Sequence, residues 1–477
     1  MERLGIAMFI VISIYFFVLI IDPYKKQSVP MVIPFLALAL MAIHLVFETR
    51  TWQLYPLYFL TVLACIVSLI AVIEAKTAHT GSRTILFNGR NKMIFLTAVV
   101  LIGSGMAVWA FPFNEMPMPS GRYEIGTATY DFKETGIKEI YGDASGTDRR
   151  IKVQVWYPAS RTEGLERTPW LADGRVVARV LASEMKAPIF ILDHTKDVLS
   201  HAFEGAQMST AIETFPVIIL SHGWSGFRNL HSDLAEMLAS NGYIVLGIDH
   251  TFGSQVTVFK DGTIETLDHG ALPDRESTYS FLDYAKVLES TFADDVTYVL
   301  NQLYGFNDGL FGSLFKERLN LDKVGLLGHS TGGGADVIVA ISDARIKAIL
   351  GMDAWVEPIQ DGLIMKGLKI PALFLRSEEW ETGYNNANLT KLIDNSRTGT
   401  VLYQIDGTTH IDFTMAYMYS RLTRYIGYTG EVDRKTMDKI HNRIVIDFFD
   451  KALKDVGHSS LGQASDIWPI VKLIQLK

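Results

Sequence analysis

The chain has 477 residues, 48% of them apolar, a formal net charge of −8 and a single cysteine. That length exceeds one ordinary domain of roughly 100 to 200 residues, and the acidic balance excludes a basic nucleic-acid-binding surface. One cysteine excludes a disulfide framework and paired-cysteine zinc sites; Cys65 falls inside an apolar run, where it reads as a small packing residue.

The apolar excess is concentrated in the first 120 residues. Leu4–Ile21, Val29–Phe47, Leu54–Ile73 and Met93–Phe111 carry no charged side chain, and each approaches the ~20 residues that cross a bilayer core as helix. None has a polar face to turn to water, so residues 1–111 read as a membrane-embedded region of four transmembrane spans. The first span is expected to be retained, because it is longer than a secretory apolar core and lacks a small-x-small cleavage site. Lys25, Lys26, Lys76, Arg83, Arg90 and Lys92 fall in the first and third connections, against Arg3, Arg50 and Arg122 on the other side. Basic residues are kept in the cytoplasm during insertion, which predicts a multi-pass cell-membrane protein with its large domain extracytoplasmic. Beyond residue 120 there are 36 Lys+Arg against 47 Asp+Glu, so bulk charge does not draw that domain to anionic lipid.

Residues 112–121, proline-rich and without periodicity, read as a linker, and 122–477 as the second domain. Tyr123–Asp131 and Ile151–Tyr157 alternate apolar and polar residues around a turn cluster, as antiparallel edge strands do. From Pro216 onward short β-rich runs alternate with helical patterns, which predicts an α/β class, a mostly parallel sheet with helices on both faces. The expected strands are Val217–Leu220, Ile244–Ile248, Val324–Leu327, Ile346–Gly351, Ala372–Leu375 and Val401–Ile405. The expected helices are His231–Ser240, Tyr284–Tyr304, Ala335–Ser342 and Lys435–Lys451.

Between one such strand and helix, Gly328, Ser330 and Gly332 form Gly-x-Ser-x-Gly, the nucleophile elbow of the α/β-hydrolase fold. A serine hydroxyl needs a general base and an acid that fixes the base's tautomer, in the chain order Ser, Asp or Glu, His. Of the downstream histidines, His410 follows the expected last strand in DGTTHIDF, where an imidazole reaches over the sheet. His441, in a helical pattern, and His458, in a polar tail, read as surface residues. Two places compete for the acid: Asp353 in GMDAW, and Glu378 or Glu379 in FLRSEEW. For the oxyanion, the backbone amide of Thr331 follows the nucleophile, and SHGWSGFR supplies a turn in which His222 and Gly223 expose the amide of Trp224. No cofactor motif and no metal-ligand spacing is visible; Asp249 and His250, at a strand end, read as a hydrogen-bonded loop pair.

SHGWSGFR, GHSTGGG, GMDAWVEP and DGTTHIDFTM resemble the corresponding segments of the plasma-type platelet-activating factor acetylhydrolases, over roughly Tyr123 to the C-terminus. The resemblance implies Ser330 as nucleophile, Asp353 as acid, His410 as base and the amides of Trp224 and Thr331 as oxyanion donors. More distantly the domain is similar to dienelactone-hydrolase-like enzymes. Two departures are the N-terminal spans, which secreted members lack, and Trp224, where the family has a smaller apolar residue. The implied activity is hydrolysis of a lipid or short-acyl phospholipid ester through an acyl-enzyme. An acyltransferase or peptidase would use the same triad, and a membrane scaffold would keep the fold without turnover. Finally, Trp170, Leu171, Val176, Val177, Val180 and Leu181 recur at near-helical spacing and Ile189–Leu192 add an apolar run. Residues 165–211 are therefore expected either to cover the ester site or to pack as core.

Overall fold

The computed structural model describes residues 3–21, 29–77, 85–456 and 464–477. Its chain divides into two units. One comprises Met1–Asn114, Leu181–Val198 and Tyr419–Leu422, the other Glu115–Val180, Leu199–Met418 and Thr423–Lys477.

In the first unit the apolar runs form α1 (Arg3–Ile21), α2 (Val29–Phe47), α3 (Tyr55–Thr77) and α4 (Ile85–Ala110). Its polarity is the reverse of a water-soluble bundle. Ile10, Phe17, Phe59, Phe95, Ile102 and Met106 point outward, whereas Thr61, Ser68, Thr97 and Ser104 are buried. Polar groups turned inward and hydrocarbon outward is how helices pack in lipid. Leu4–Ile21, Trp52–Ile70 and Asn91–Ala110 are long and apolar enough to cross a membrane. The expectation of four such helices is corrected to three among the described residues. Within α2, the apolar stretch Val32–Phe47 is shorter than these three. Lys25, Lys26 and Arg83 lie outside the described residues, as does His458.

The second unit is built on one sheet. In chain order its strands are β1 (Glu124–Lys138), β2 (Asp148–Arg161), β3 (Arg167–Pro169), β4 (Leu199–Glu204), β5 (Gln207–Met208), β6 (Phe215–Ser221) and β7 (Ile244–Asp249). A separate hairpin of β8 (Val256–Val258) and β9 (Ile264–Thr266) follows, then β10 (Leu319–His329), β11 (Ile346–Met352), β12 (Ala372–Ser377), β13 (Val401–Ile405) and β14 (Val471–Leu476). The sheet order is β14-β13-β12-β11-β10-β6-β7-β2-β1-β4-β3, with β5 paired to β2. The run from β13 to β7 is parallel, and β2 and β14 flank it in antiparallel register. A central parallel strand is covered on both faces, which is why FPVIILS in β6 is buried at every position. Alternate side chains serve opposite cores. Val217 and Ile219 pack in one cluster with Leu288, Phe292 and Val337, and Ile218 and Leu220 in another with Leu234, Leu238, Ile440 and Ile444.

Two expectations are corrected. His441 is 1% exposed rather than a surface residue, and its ring stacks 5.2 Å from that of Phe413. The cause is helical phase: Met437, Ile440, Ile444, Val445 and Phe448 form the buried stripe of the helix Arg434–Phe449, and His441 sits within it. Asp249 and His250 are buried but bond elsewhere. Asp249 accepts from the Arg228 amide at 2.7 Å and pairs with its guanidinium, while His250 Nδ1 lies 2.9 Å from Asp295 Oδ2.

The 165–211 segment is divided. β3 and β4 extend the sheet edge beyond β1, and the buried Trp170 donates its indole N–H to Asn229 O at 3.0 Å. Residues Leu181–Val198 belong to the helical unit, where Trp52 donates to Ile191 O at 3.1 Å and its ring meets Phe190 edge-on.

Candidate active site

The elbow joins β10 to the helix Ser330–Ser342 without a connecting residue. Ser330 has φ +55°, the left-handed region that a side chain rarely adopts. Its neighbours must be small. A Cβ on Gly328 would stand 2.5 Å from Asp336 Oδ2, and one on Gly332 would stand 2.4 Å from His222 O. The turn thus lifts Ser330 clear of the sheet, at the end of a helix whose first N–H groups have no partner within the helix.

The loop after β13 brings His410 to the serine: His410 Nε2 lies 2.9 Å from Ser330 Oγ. On the ring's other side Nδ1 lies 3.0 Å from Asp353 Oδ2. Asp353 follows β11 with φ +41° and is fully buried. Its carboxylate accepts from the Ser377 amide at 2.7 Å and the Ser377 hydroxyl at 2.6 Å. Two donors and an imidazole satisfy a buried negative charge that desolvation alone would make costly.

Glu378 and Glu379 do not meet the imidazole. Glu378 accepts the Gly407 amide and Glu379 the His410 amide, both at 2.6 Å, so the pair fixes the backbone of the histidine loop. Trp380 stacks on the His410 ring, with centroids 4.2 Å apart and planes 1° from parallel. His329 packs 4.5 Å away, its Nε2 lying 3.1 Å from His410 O. Burial pushes His329 well below the usual imidazole range, so it stays neutral beside His410. Sequence reasoning singled out neither Trp380 nor Ser377, although both sit in FLRSEEW; their roles depend on contacts that no periodicity encodes.

The turn after β6 crosses directly in front of the serine. A Cβ on Gly223 would lie 2.7 Å from Ser330 Cβ, an approach open only to glycine. His222 is held by Ser254 Oγ at 2.8 Å and lies 2.7 Å from Gly223 O through Nδ1. Trp224, next along this turn, is half-buried and packs against the core. Behind the elbow, burial holds the carboxyls of Asp336 and Glu289 well above the ordinary carboxylate range. A hydroxyl, an imidazole and a carboxylate in this relay have the geometry for acyl transfer.

A family model described as "Platelet-activating factor acetylhydrolase, isoform II" matches residues 110–279 and 286–463. Among curated proteins, the bovine (Bos taurus) "Platelet-activating factor acetylhydrolase" is 26% identical over 377 residues, 71% of this chain and 78% of its own length. A "Probable 1-alkyl-2-acetylglycerophosphocholine esterase" of Arthroderma benhamiae is 27% identical over 163 residues, 34% of this chain and 37% of its own. Among solved structures, a ferulic acid esterase from Streptomyces cinnamoneus superposes with a TM-score of 0.61 at 22% identity, covering 76% of this chain and 99% of that one, which shows a shared fold. With the family model matching well over half of the chain, including the segments that carry Ser330, Asp353 and His410, this chain belongs to the platelet-activating factor acetylhydrolase, isoform II, family.

Proposed function

We propose that this protein is a membrane-anchored serine carboxylic ester hydrolase acting on lipid esters with a short acyl group, such as acetylated phospholipids resembling platelet-activating factor. The observation that carries the reading is the continuous relay of 2.9 and 3.0 Å through Ser330, His410 and Asp353.

His410 Nε2 takes the hydroxyl proton of Ser330 as Oγ attacks the ester carbonyl, and Asp353 stabilises the imidazolium that forms. The tetrahedral oxyanion is met by the amides of Thr331 and Trp224, each such donor being worth ~2.7 to 4 kcal/mol of barrier. Collapse expels the lipid alcohol, which takes the proton back from His410 and leaves an acyl-serine. Water, deprotonated by the same imidazole, then releases the acid. The indole of Trp224 at the oxyanion turn favours a small acyl group, and the reversed polarity of the helical unit supports anchoring in a bilayer. The basic residues of the first and third connections support an extracytoplasmic hydrolase domain.

A fluorophosphonate probe should label the wild-type chain and not Ser330→Ala, and p-nitrophenyl acetate should be hydrolysed faster than its long-chain homologues. Absence of labelling, or a rate rising steadily with acyl length, contradicts the assignment. Protease added to intact cells should digest the hydrolase unit; digestion only after lysis reverses the sidedness.

A further inference from the structure

The helical unit holds a small open cleft, with room of about 20 Å³, lined by His44, Thr49, Gln53, Val108, Phe111 and Phe113 among others. The family model begins at residue 110, so most of this lining lies outside the matched region. Its lining joins apolar Leu54, Val108, Phe111 and Phe113 to the carboxamide of Gln53 and the polar side chains of His44, Thr49 and Thr51.

Gln53 is 3% exposed. Its Nε2 donates to Phe111 O at 2.8 Å, which fixes the amide's orientation, since the flipped group would set two carbonyl oxygens face to face. The other end, Oε1, is buried with no hydrogen-bond partner. A buried acceptor left open calls for a donor. The charged neighbours are already satisfied: Glu48 accepts the amides of Leu4 and Gly5 at 2.8 and 3.2 Å and lies 2.8 Å from His44 Nδ1. His44 Nε2 in turn lies 2.6 Å from the Tyr58 hydroxyl. These groups already have hydrogen-bond partners, so the open acceptor in the cleft fits a donor attached to hydrocarbon, rather than a phosphate, which has no proton to give.

We infer that this cleft binds the free hydroxyl of a single-chain lipid, the alcohol that ester hydrolysis releases, with the hydroxyl donating to Gln53 Oε1 and the adjoining chain lying along Val108 and Phe111. The choice of alcohol rests on the esterase reading. An intact ester has no hydrogen to give at that oxygen, so the cleft discriminates product from substrate.

The test uses the full-length Ser330→Ala protein in phosphatidylcholine nanodiscs, so that no turnover intervenes. Two probes are compared: a 1-alkyl-2-hydroxy-glycerophosphocholine with a diazirine near the glycerol end of its chain, and its 2-O-methyl ether. The hydroxyl probe should label peptides containing Gln53 or Phe111 about fivefold more than the ether, the worth of one net hydrogen bond. Gln53→Leu should equalise the two probes. Val108→Phe, which leaves the bond from Gln53 Nε2 to Phe111 O untouched, should fill the cleft and abolish labelling by either. Equal labelling in the parent protein, or a preference that survives Gln53→Leu in a variant of unchanged melting temperature, overturns the inference. The two readings fail separately. A wild-type protein inert towards p-nitrophenyl acetate counts against the esterase, whereas labelling of Ser330→Ala reports on the cleft alone.

Discussion

Two neighbouring strands end in acidic turns one strand apart, and they use their carboxylates differently. After β11, Asp353 is fully buried and takes two hydrogen bonds from Ser377 and one contact from the His410 imidazole. After β12, Glu378 and Glu379 are exposed and take the backbone amides of Gly407 and His410. The difference is burial and side-chain length. The buried Asp353 carboxylate meets the His410 ring as well as a backbone amide, while the exposed glutamates take backbone amides under solvent screening. Proximity to the histidine therefore does not by itself identify the acid.

That contrast can be broken from either end. The largest effect expected is from Ser330→Ala or His410→Ala, each lowering kcat by ~10⁴-fold or more while the protein still folds; more than a tenth of wild-type turnover in either would remove the relay altogether. Asp353→Asn should follow at about 10⁴-fold, because the amide releases the imidazole tautomer. If Glu378→Gln is instead the crippling change and Asp353→Asn the mild one, the acid lies after β12 and the comparison inverts.

Buried against exposed ionisable groups also sets the pH response. Burial pushes His441 down to about 3 and His231 down to about 4. The unfolded chain binds protons near pH 6.5 that these folded sites refuse, so their stability contribution is full above pH 6.5 and is lost as pH falls towards 4. Each contributes a slope of about 1.4 kcal/mol per pH unit in that window. His441→Phe should flatten the fall of Tm between pH 6.5 and 4, and an unchanged slope would show that other groups control acid unfolding. The smallest effect belongs to the exposed pair: Glu379→Gln should lower kcat about tenfold or less by loosening the His410 amide, with KM little changed. A pure KM effect would assign Glu379 to substrate contact instead.

The central strands were legible because burial on both faces writes itself as continuous β-branched and aliphatic runs, as in β6 and β7, and the elbow because only small residues fit around Ser330. What was not legible arose from contacts distant in sequence. VKLIQL in β14 has no flanking turn signal and is a strand because β13 offers it an edge. LSHAFE in β4 becomes one by pairing with β1, 77 residues upstream. His441 was misread because a polar residue type was weighted above its phase on the helix. Glu378 and Asp353 were left in competition because spacing along a chain carries no information on which turn is dry.

The chain enters the helical unit three separate times, the last being the four residues Tyr419–Leu422, only nine residues past His410. There Ser420 Oγ and the Arg421 amide both donate to the carbonyl of Ala110, at 2.7 and 2.9 Å, and earlier Ile191 takes the indole proton of Trp52. A soluble fragment cut at the linker would keep Ser420, Arg421 and Ile191 but lose every one of those partners, and would bare Phe190 as well. The N-terminal helices therefore hold two later segments of the chain within their own unit. Any attempt to harvest the esterase as a clipped fragment has to replace those contacts rather than merely delete the apolar helices.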